Sequence, residues 1–473
     1  MVFSSSLFLL YFLPFFLLLY FFIDKRYQNI LILLSSIFFY AWGAPTLIFI
    51  VLASILADFY LVEWMNRSSG SKKKIMVGCS IALNLGLLIY YKYSNFFVEN
   101  IDAVLTGFGF KNLAWTKVAL PIGISFYTFQ KITYSIDVYR KVHPPLKRVW
   151  DYALYILMFP QLIAGPIVRF HEIADQIEDR SANETVDNRL TGFFRFVIGL
   201  AKKVLIANVL GEQVDKIFAM GQGDITTPLA WIGVLAYAFQ IYYDFSGYSD
   251  MAIGLGRIIG FDFPENFNSP YISQSISEFW RRWHITLGRF MRDYLYIPLG
   301  GNRVPRARMF FNLWVVFLLS GLWHGAAWNF VVWGAYHGLF LVADRVFLLK
   351  VYKKIGKIPS IVITFIITLI GWVLFRSDNL GYAWMYLQTM FEFNFSPSSL
   401  TFDPQFWTML ALGALFAFWG GFKAIEQWHV RVYSKVQKNY AIFSMAASSV
   451  VLFIVSLASV TSTGFNPFIY FRF

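Results

Sequence analysis

SISEFWRRWHITLGRFMRDYLYIPLGGNR (275–303), a short polar turn, and FFNLWVVFLLSGLWHGAAWNFVVWGAYHGLF (310–340) form the stretch that decides how this chain is read. Three of the six histidines, His284, His324 and His337, lie in it. Its first part sets five arginines, one histidine and two acids among aromatics. Its second is an apolar run carrying histidine at a depth from which lipid would ordinarily exclude it. Ionisable groups inside such a run are costly and point to function.

The same apolar character extends over all 473 residues, of which 58% are hydrophobic and 14% charged. A soluble chain would carry roughly a quarter charged residues. Apolar runs of about 18 residues or more recur along the length, which makes this a polytopic membrane protein. Lipid offers the backbone no hydrogen bonds, so the runs are expected as helices. The short alternating segments of a β-barrel are absent. The fold expected is all-α, with about twelve transmembrane helices, or ten, plus short re-entrant or interfacial helices. It is read as one integral-membrane domain over 1–473, with core motifs at 120–340 and C-terminal helices and an aromatic tail at 358–473.

The net charge of +13 would suggest nucleic acid for a soluble protein. Here the basic residues gather in short loops between apolar runs, as in loops facing anionic lipid, so the bilayer and not nucleic acid is the partner read from charge. The N-terminal run lacks a basic leader and a small-residue cleavage site, and reads as a retained helix. Loops at Lys25-Arg26, Arg67 to Lys74, Arg140 to Arg148, Arg303 to Arg308, Lys350 to Lys357 and Lys423 to Lys438 are expected inside, with both chain ends outside. The single cysteine, Cys79, excludes an internal disulfide.

Ser275-x-x-Glu278 is a capping-box signal, and Pro298 with Gly300-Gly301 a stop, so one amphipathic helix is expected over Ser275–Pro298. Glu278 with Arg282 and Arg289 with Asp293 are i,i+4 pairs on it. His324 falls about 14 residues, roughly 20 Å, into the next helix. Gly321 and Gly325 beside it are read as clearing space for a ligand or another helix. His324 has two readings, a base or ligand and a core histidine bonded to a neighbouring helix. His284, next to Arg281, Arg282 and Trp283, reads as a neutral imidazole, either base, donor or structural. His337 reads as orienting a helix. No H-E-x-x-H and no cysteine partner occurs, so no metal is expected. Gly254-Leu-Gly256-Arg-Ile-Ile-Gly260 is one residue too long for a dinucleotide fingerprint and lacks its βαβ setting. Asp244 and Asp250 are expected to pair with arginines of the Glu278 helix. The tail FNPFIYFRF carries five aromatics, which fits an interfacial belt, and Tyr470 is its one side-chain hydroxyl.

Several segments together resemble the membrane-bound O-acyltransferases, in the bacterial branch that O-acetylates alginate and other envelope polysaccharides. They are LPIGISFYTFQK (120–131), FPQLIAGPIVRF (159–170), YDFSGYSDMAIGLG (243–256), FWRRWHITL (279–287), RDYLYIPLGGNR (292–303) and GLWHGAAW (321–328). The family's two signature histidines map onto His284 and His324, the second being the catalytic one. The resemblance implies a central acyl-transfer pocket, no bound cofactor, and acetyl-CoA as the cytoplasmic donor. It further implies a bacterial inner-membrane location with the N-terminus periplasmic, a periplasmic acetyltransferase partner protein, and an envelope polysaccharide acceptor. Arg281, Arg282, Trp283, Asp244 and Trp323 are the expected substrate-binding residues. Tyr470 is the candidate covalent acyl relay. D-alanyl or lipid transfer by the same fold, and a transporter with a histidine proton relay, are the alternatives.

Overall fold

The computed structural model describes residues 1–163, 165–397, 400–422, 439–462, 465 and 467–469. Helices and the turns between them account for every regular element among the described residues. Five helical stretches are long and apolar enough to cross a membrane: Leu47–Arg67, Gly70–Gly107, Trp328–Ile355, Lys357–Arg376 and Tyr440–Ser462. Phe8–Phe22 is apolar but shorter.

The chain divides into two compact units. The first comprises 1–2, 7–183 and 259–263. Its helices are α1 (Leu13–Phe22), α2 (Gln28–Gly43), α3 (Leu47–Arg67), α4 (Gly70–Leu88), α5 (Ser94–Gly107), α6 (Ile124–Tyr139), α7 (Val149–Leu157) and α8 (Phe170–Glu178). Lys72 to Lys74, expected in a loop, form the first turn of α4. Asp58 on α3 is fully buried and ties four helices together. Its Oδ1 accepts from Ser80 Oγ at 2.5 Å and Asn84 Nδ2 at 2.9 Å, both on α4, and its Oδ2 from Tyr152 on α7. From α6, Ser135 Oγ bonds Ser80 Oγ at 2.6 Å. Residues 259–263 are held by Arg180, whose Nε donates to the Ile259 carbonyl at 3.0 Å.

The second unit comprises 3–6, 184–258 and 264 onward. Its helices are α9 (Val186–Ala201), α10 (Asn208–Ile217), α11 (Thr227–Ile258), α12 (Ile276–Arg282), α13 (Ile285–Met291), α14 (Arg306–His324), α15 (Trp328–Ala343), α16 (Lys357–Arg376), α17 (Leu380–Phe391), α18 (Pro404–Phe418) and α19 (Asn439–Ser462). The 32-residue α11 is its axis, buried along most of its length and packed by α9, α10, α16, α17 and α18. Small residues let α9 and α11 approach backbone to backbone. A Cβ on Gly199 would lie 2.5 Å from the Gly247 carbonyl oxygen, and one on Gly254 2.5 Å from that of Gly192. Gly254, in the glycine run dismissed as a nucleotide motif, is thus a packing residue.

The acids of α11 are neutralised from α9 and the turn after it, and not from the Glu278 helix as expected. Arg195 reaches Asp250 at 2.9 Å and also bonds Glu265, while Lys202 reaches Asp250 at 2.6 Å. Lys203 pairs with Asp244 at 2.7 Å, with both side chains 3% exposed. These partners come from about 40 to 55 residues upstream, beyond the reach of any local pattern.

A leucine at Gly199 would need the room that the α11 backbone occupies. Overpacking of this kind costs about 1–3 kcal/mol or more. Gly199→Leu is therefore expected to lower the thermal midpoint of the detergent-solubilised protein by several degrees. Gly78→Leu, with nothing within 4 Å of its Cβ position, should leave it unchanged. Equal midpoints for the two variants would contradict the close crossing.

Candidate functional site

The stretch 275–298 is two short helices and not the single one expected. Ser275 caps α12, accepting from the Glu278 N–H at 3.1 Å, while the Glu278 carboxylate takes the Gln274 N–H and the Arg282 guanidinium, each at 2.9 Å. The helix then stops at Arg282, because His284 adopts φ 46°, ψ 54°. That left-handed conformation is uncommon outside glycine, though histidine is among the residues that tolerate it. One side chain holds it. Asn266 Oδ1 faces His284 Nδ1 at 3.1 Å, the Thr286 N–H at 3.3 Å and the Thr286 hydroxyl at 2.9 Å. The Asn266 carbonyl accepts the Ile285 N–H at 2.9 Å.

The break turns two consecutive side chains inward. Trp283 is 3% and His284 1% exposed. Burial, and not the neighbouring arginines, pushes the His284 ring down to about 3, so it is neutral at physiological pH. His284 lies outside the five long apolar helices.

His324 is the last residue of α14. The glycines beside it do not open space for a ligand. A Cβ on Gly321 would lie 2.2 Å from the Phe330 carbonyl oxygen and one on Gly325 2.1 Å from the Phe330 ring, so both admit the following helix. His324 is 5% exposed, with its ring centroid 4.9 Å from Trp323, 5.2 Å from Trp333, 5.3 Å from Phe375 and 6.5 Å from His284.

Around His324 lies a cavity lined by Ile241, Phe245, Trp283, Trp333, Trp372, Phe375 and Ile469. Its free space, about 10 Å³, is at the scale of one water molecule. The Trp333 side chain is fully buried and its indole N–H has no hydrogen-bond partner among the described residues. Such donors in protein interiors are normally paired, and leaving one unmet costs about 1–3 kcal/mol.

Of the expected site residues, His284, His324, Trp283 and Trp323 are brought together. Arg281 is exposed, and Arg282 is committed to Glu278 and the Asn268 carbonyl. Asp244 is near the cavity in a different role. Its Oδ2 accepts the Ile469 N–H at 2.8 Å, and its partner Lys203 donates to the Pro467 carbonyl. The pair thereby fixes the segment that supplies Ile469 to the cavity wall, and Phe468 stacks on Tyr248 at 4.7 Å. Tyr470 and the basic stretch 423–438 lie outside the described residues. His337, on α15, accepts from the indole of Trp280, on α12, at 3.4 Å. Among the described residues no set of three His, Cys, Asp or Glu side chains could hold a metal ion. Asn266, Lys203 and Trp333 escaped the sequence reading. Asn266 stands in a turn-like PENFNSP, and Trp333 is one of 16 tryptophans.

Comparison with known proteins bears on the same segments. Residues 141–384 match the membrane-bound O-acyltransferase family. The probable alginate O-acetylase AlgI of Pseudomonas aeruginosa is 45% identical over 397 residues, covering 83% of this chain and 75% of that protein. Its counterpart in Azotobacter vinelandii is 39% identical over 510 residues, covering all of both chains. The peptidoglycan O-acetyltransferase of Helicobacter pylori is 37% identical over 433 residues, 83% of this chain and 80% of that one. The chain belongs to the membrane-bound O-acyltransferase family.

Proposed function

We propose that this protein is a membrane O-acetyltransferase that moves an acetyl group from cytoplasmic acetyl-CoA towards hydroxyls of an envelope polysaccharide. The observation that carries the reading is His324 in the wall of a buried aromatic pocket, with the buried His284 ring 6.5 Å from it. It is supported by the similarity to alginate and peptidoglycan O-acetylating proteins. The proposal includes a bacterial inner-membrane location with the N-terminus periplasmic, about twelve crossings, or ten, and a periplasmic acetyltransferase partner that receives the acetyl group.

The chemistry follows from what the wall provides. An acyl thioester needs a base to activate an oxygen nucleophile and a donor for the oxyanion that develops. In this proposal a ring nitrogen of His324 takes the hydroxyl proton as the oxygen bonds to the thioester carbonyl carbon. The carbon–sulfur bond then breaks, and the CoA thiolate takes the proton back. The arginines expected to stabilise charge are exposed or committed elsewhere, which leaves the buried indole N–H of Trp333 as the oxyanion donor. Space for one water does not admit an acyl chain, so turnover requires the wall to move. Ile469 is a wall residue set off the long helices, and its displacement requires the bonds from Asp244 and Lys203 to release. Tyr470, next in sequence, is placed by this reading as an acyl relay, because a phenyl ester passes its acyl group on more readily than an alkyl ester.

Three substitutions test the assignment in polymer acetylation and acetyl-CoA turnover assays. His324→Ala should abolish both while folded protein persists in the membrane, and wild-type acetylation in that variant would overturn its role as base. Trp333→Phe keeps a ring and removes the donor. It should lower kcat about a hundredfold, the scale of losing one oxyanion donor, and an unchanged kcat would remove Trp333 from the mechanism. Tyr470→Phe keeps the ring and removes the nucleophile. It should stop transfer to the acceptor with normal membrane insertion, whereas full activity would end the relay and leave an aromatic anchor.

A further inference from the structure

Asn266 does more than hold a turn, and the bonds to its amide oxygen settle a question of proton placement. Histidine tautomers and amide orientations follow from the hydrogen-bond network around them. The backbone N–H of Thr286 can only donate, so the Asn266 atom facing it is the oxygen and not the amide nitrogen. The same oxygen lies 3.1 Å from His284 Nδ1. An amide oxygen accepts only, so Nδ1 must carry the hydrogen. A neutral ring holds one N–H, which leaves Nε2 as a bare lone pair. His284 Nε2 and Asn266 Nδ2 are both buried with no hydrogen-bond partner among the described residues. Two buried polar atoms in this state call for an explanation in a native fold.

We propose that Asn266 is a positioning residue that fixes His284 as the Nδ1–H tautomer, so that beside His324 this histidine offers only a hydrogen-bond acceptor. It does not donate to an oxyanion or to phosphate. A direct bond between the two imidazoles would place their centroids about 5 Å apart. At 6.5 Å the rings do not bond each other. The acceptor suits a hydroxyl, whose single hydrogen is held by one ring nitrogen at a time: His284 Nε2 receives it as the group enters, and the hydrogen passes to His324 when the oxygen reacts. The part in acetyl transfer rests on the function proposed above, whereas the tautomer does not.

The test uses full-length protein in lipid nanodiscs with 15N-labelled histidine, its His284 signals assigned by comparison with His284→Gln. Wild type should show a neutral His284 with the hydrogen on Nδ1. Asn266→Asp, which keeps an acceptor oxygen, and Thr286→Val, which removes only the hydroxyl bond to that oxygen, should both retain this tautomer. Asn266→Leu should lose it and lower kcat about ten- to a hundredfold, the range for losing a partner that orients a functional histidine. Asn266→Asp should recover part of that loss, and KM should move little throughout. A wild-type hydrogen on Nε2, or an unchanged tautomer in Asn266→Leu, would overturn the proposal. If Asn266→Leu does not fold, loss of the tautomer in Asn266→Asp would do the same. The expected spectra without acetyl transfer in any form would instead count against the function and leave the tautomer standing.

Discussion

One amide oxygen sets the geometry of the pocket. Asn266 Oδ1 faces three groups of the turn at 283–286, and the turn is what allows consecutive side chains to be buried in different directions. Trp283 packs on Trp372 with centroids 4.9 Å apart, while His284 meets the edge of Phe245 at 4.7 Å and lies near Trp323 and His324. On an unbroken helix, neighbouring residues project about 100° apart along one continuous surface. A left-handed residue replaces that arrangement at a cost of order 1–3 kcal/mol, which the surrounding bonds must offset.

Buried polarity takes two forms in this protein. Asp58 in the first unit has both carboxylate oxygens occupied by Ser80, Asn84 and Tyr152, and a closed set of that kind rigidifies a fold. In the second unit, His284 Nε2, Asn266 Nδ2 and the Trp333 indole nitrogen are buried without partners among the described residues. Of these, the Trp333 indole lines the pocket, where a ligand can relieve the cost of its unmet donor.

The sequence made the all-helical, membrane character legible, because no other backbone arrangement suits such long apolar runs without alternation. It also marked a local start, since Ser275 caps a helix as its spacing to Glu278 indicated. His284 and His324 were identifiable from their motifs. The break at 283–284 was not, since apolar and charged spacing continues across it and its cause is Asn266, 18 residues upstream. The acids of α11 were assigned the wrong cations for a similar reason, because ion pairing is decided by which helices pack together. Gly321 and Gly325 were ambiguous, since a glycine that makes room does not say for what, and here Phe330 fills the room.

The central claim is that the acyl group reacts beside His324, in a pocket that now encloses space for a single water. A structure of the protein in nanodiscs with a non-hydrolysable acetyl-CoA analogue tests this most directly. The account predicts the acyl carbonyl against the His324 ring, with the Trp333 indole N–H towards its oxygen and Ile469 displaced from the wall. An analogue bound with its acyl end elsewhere, and the cavity of Trp283, Trp333, Trp372 and Phe375 still closed, would contradict it.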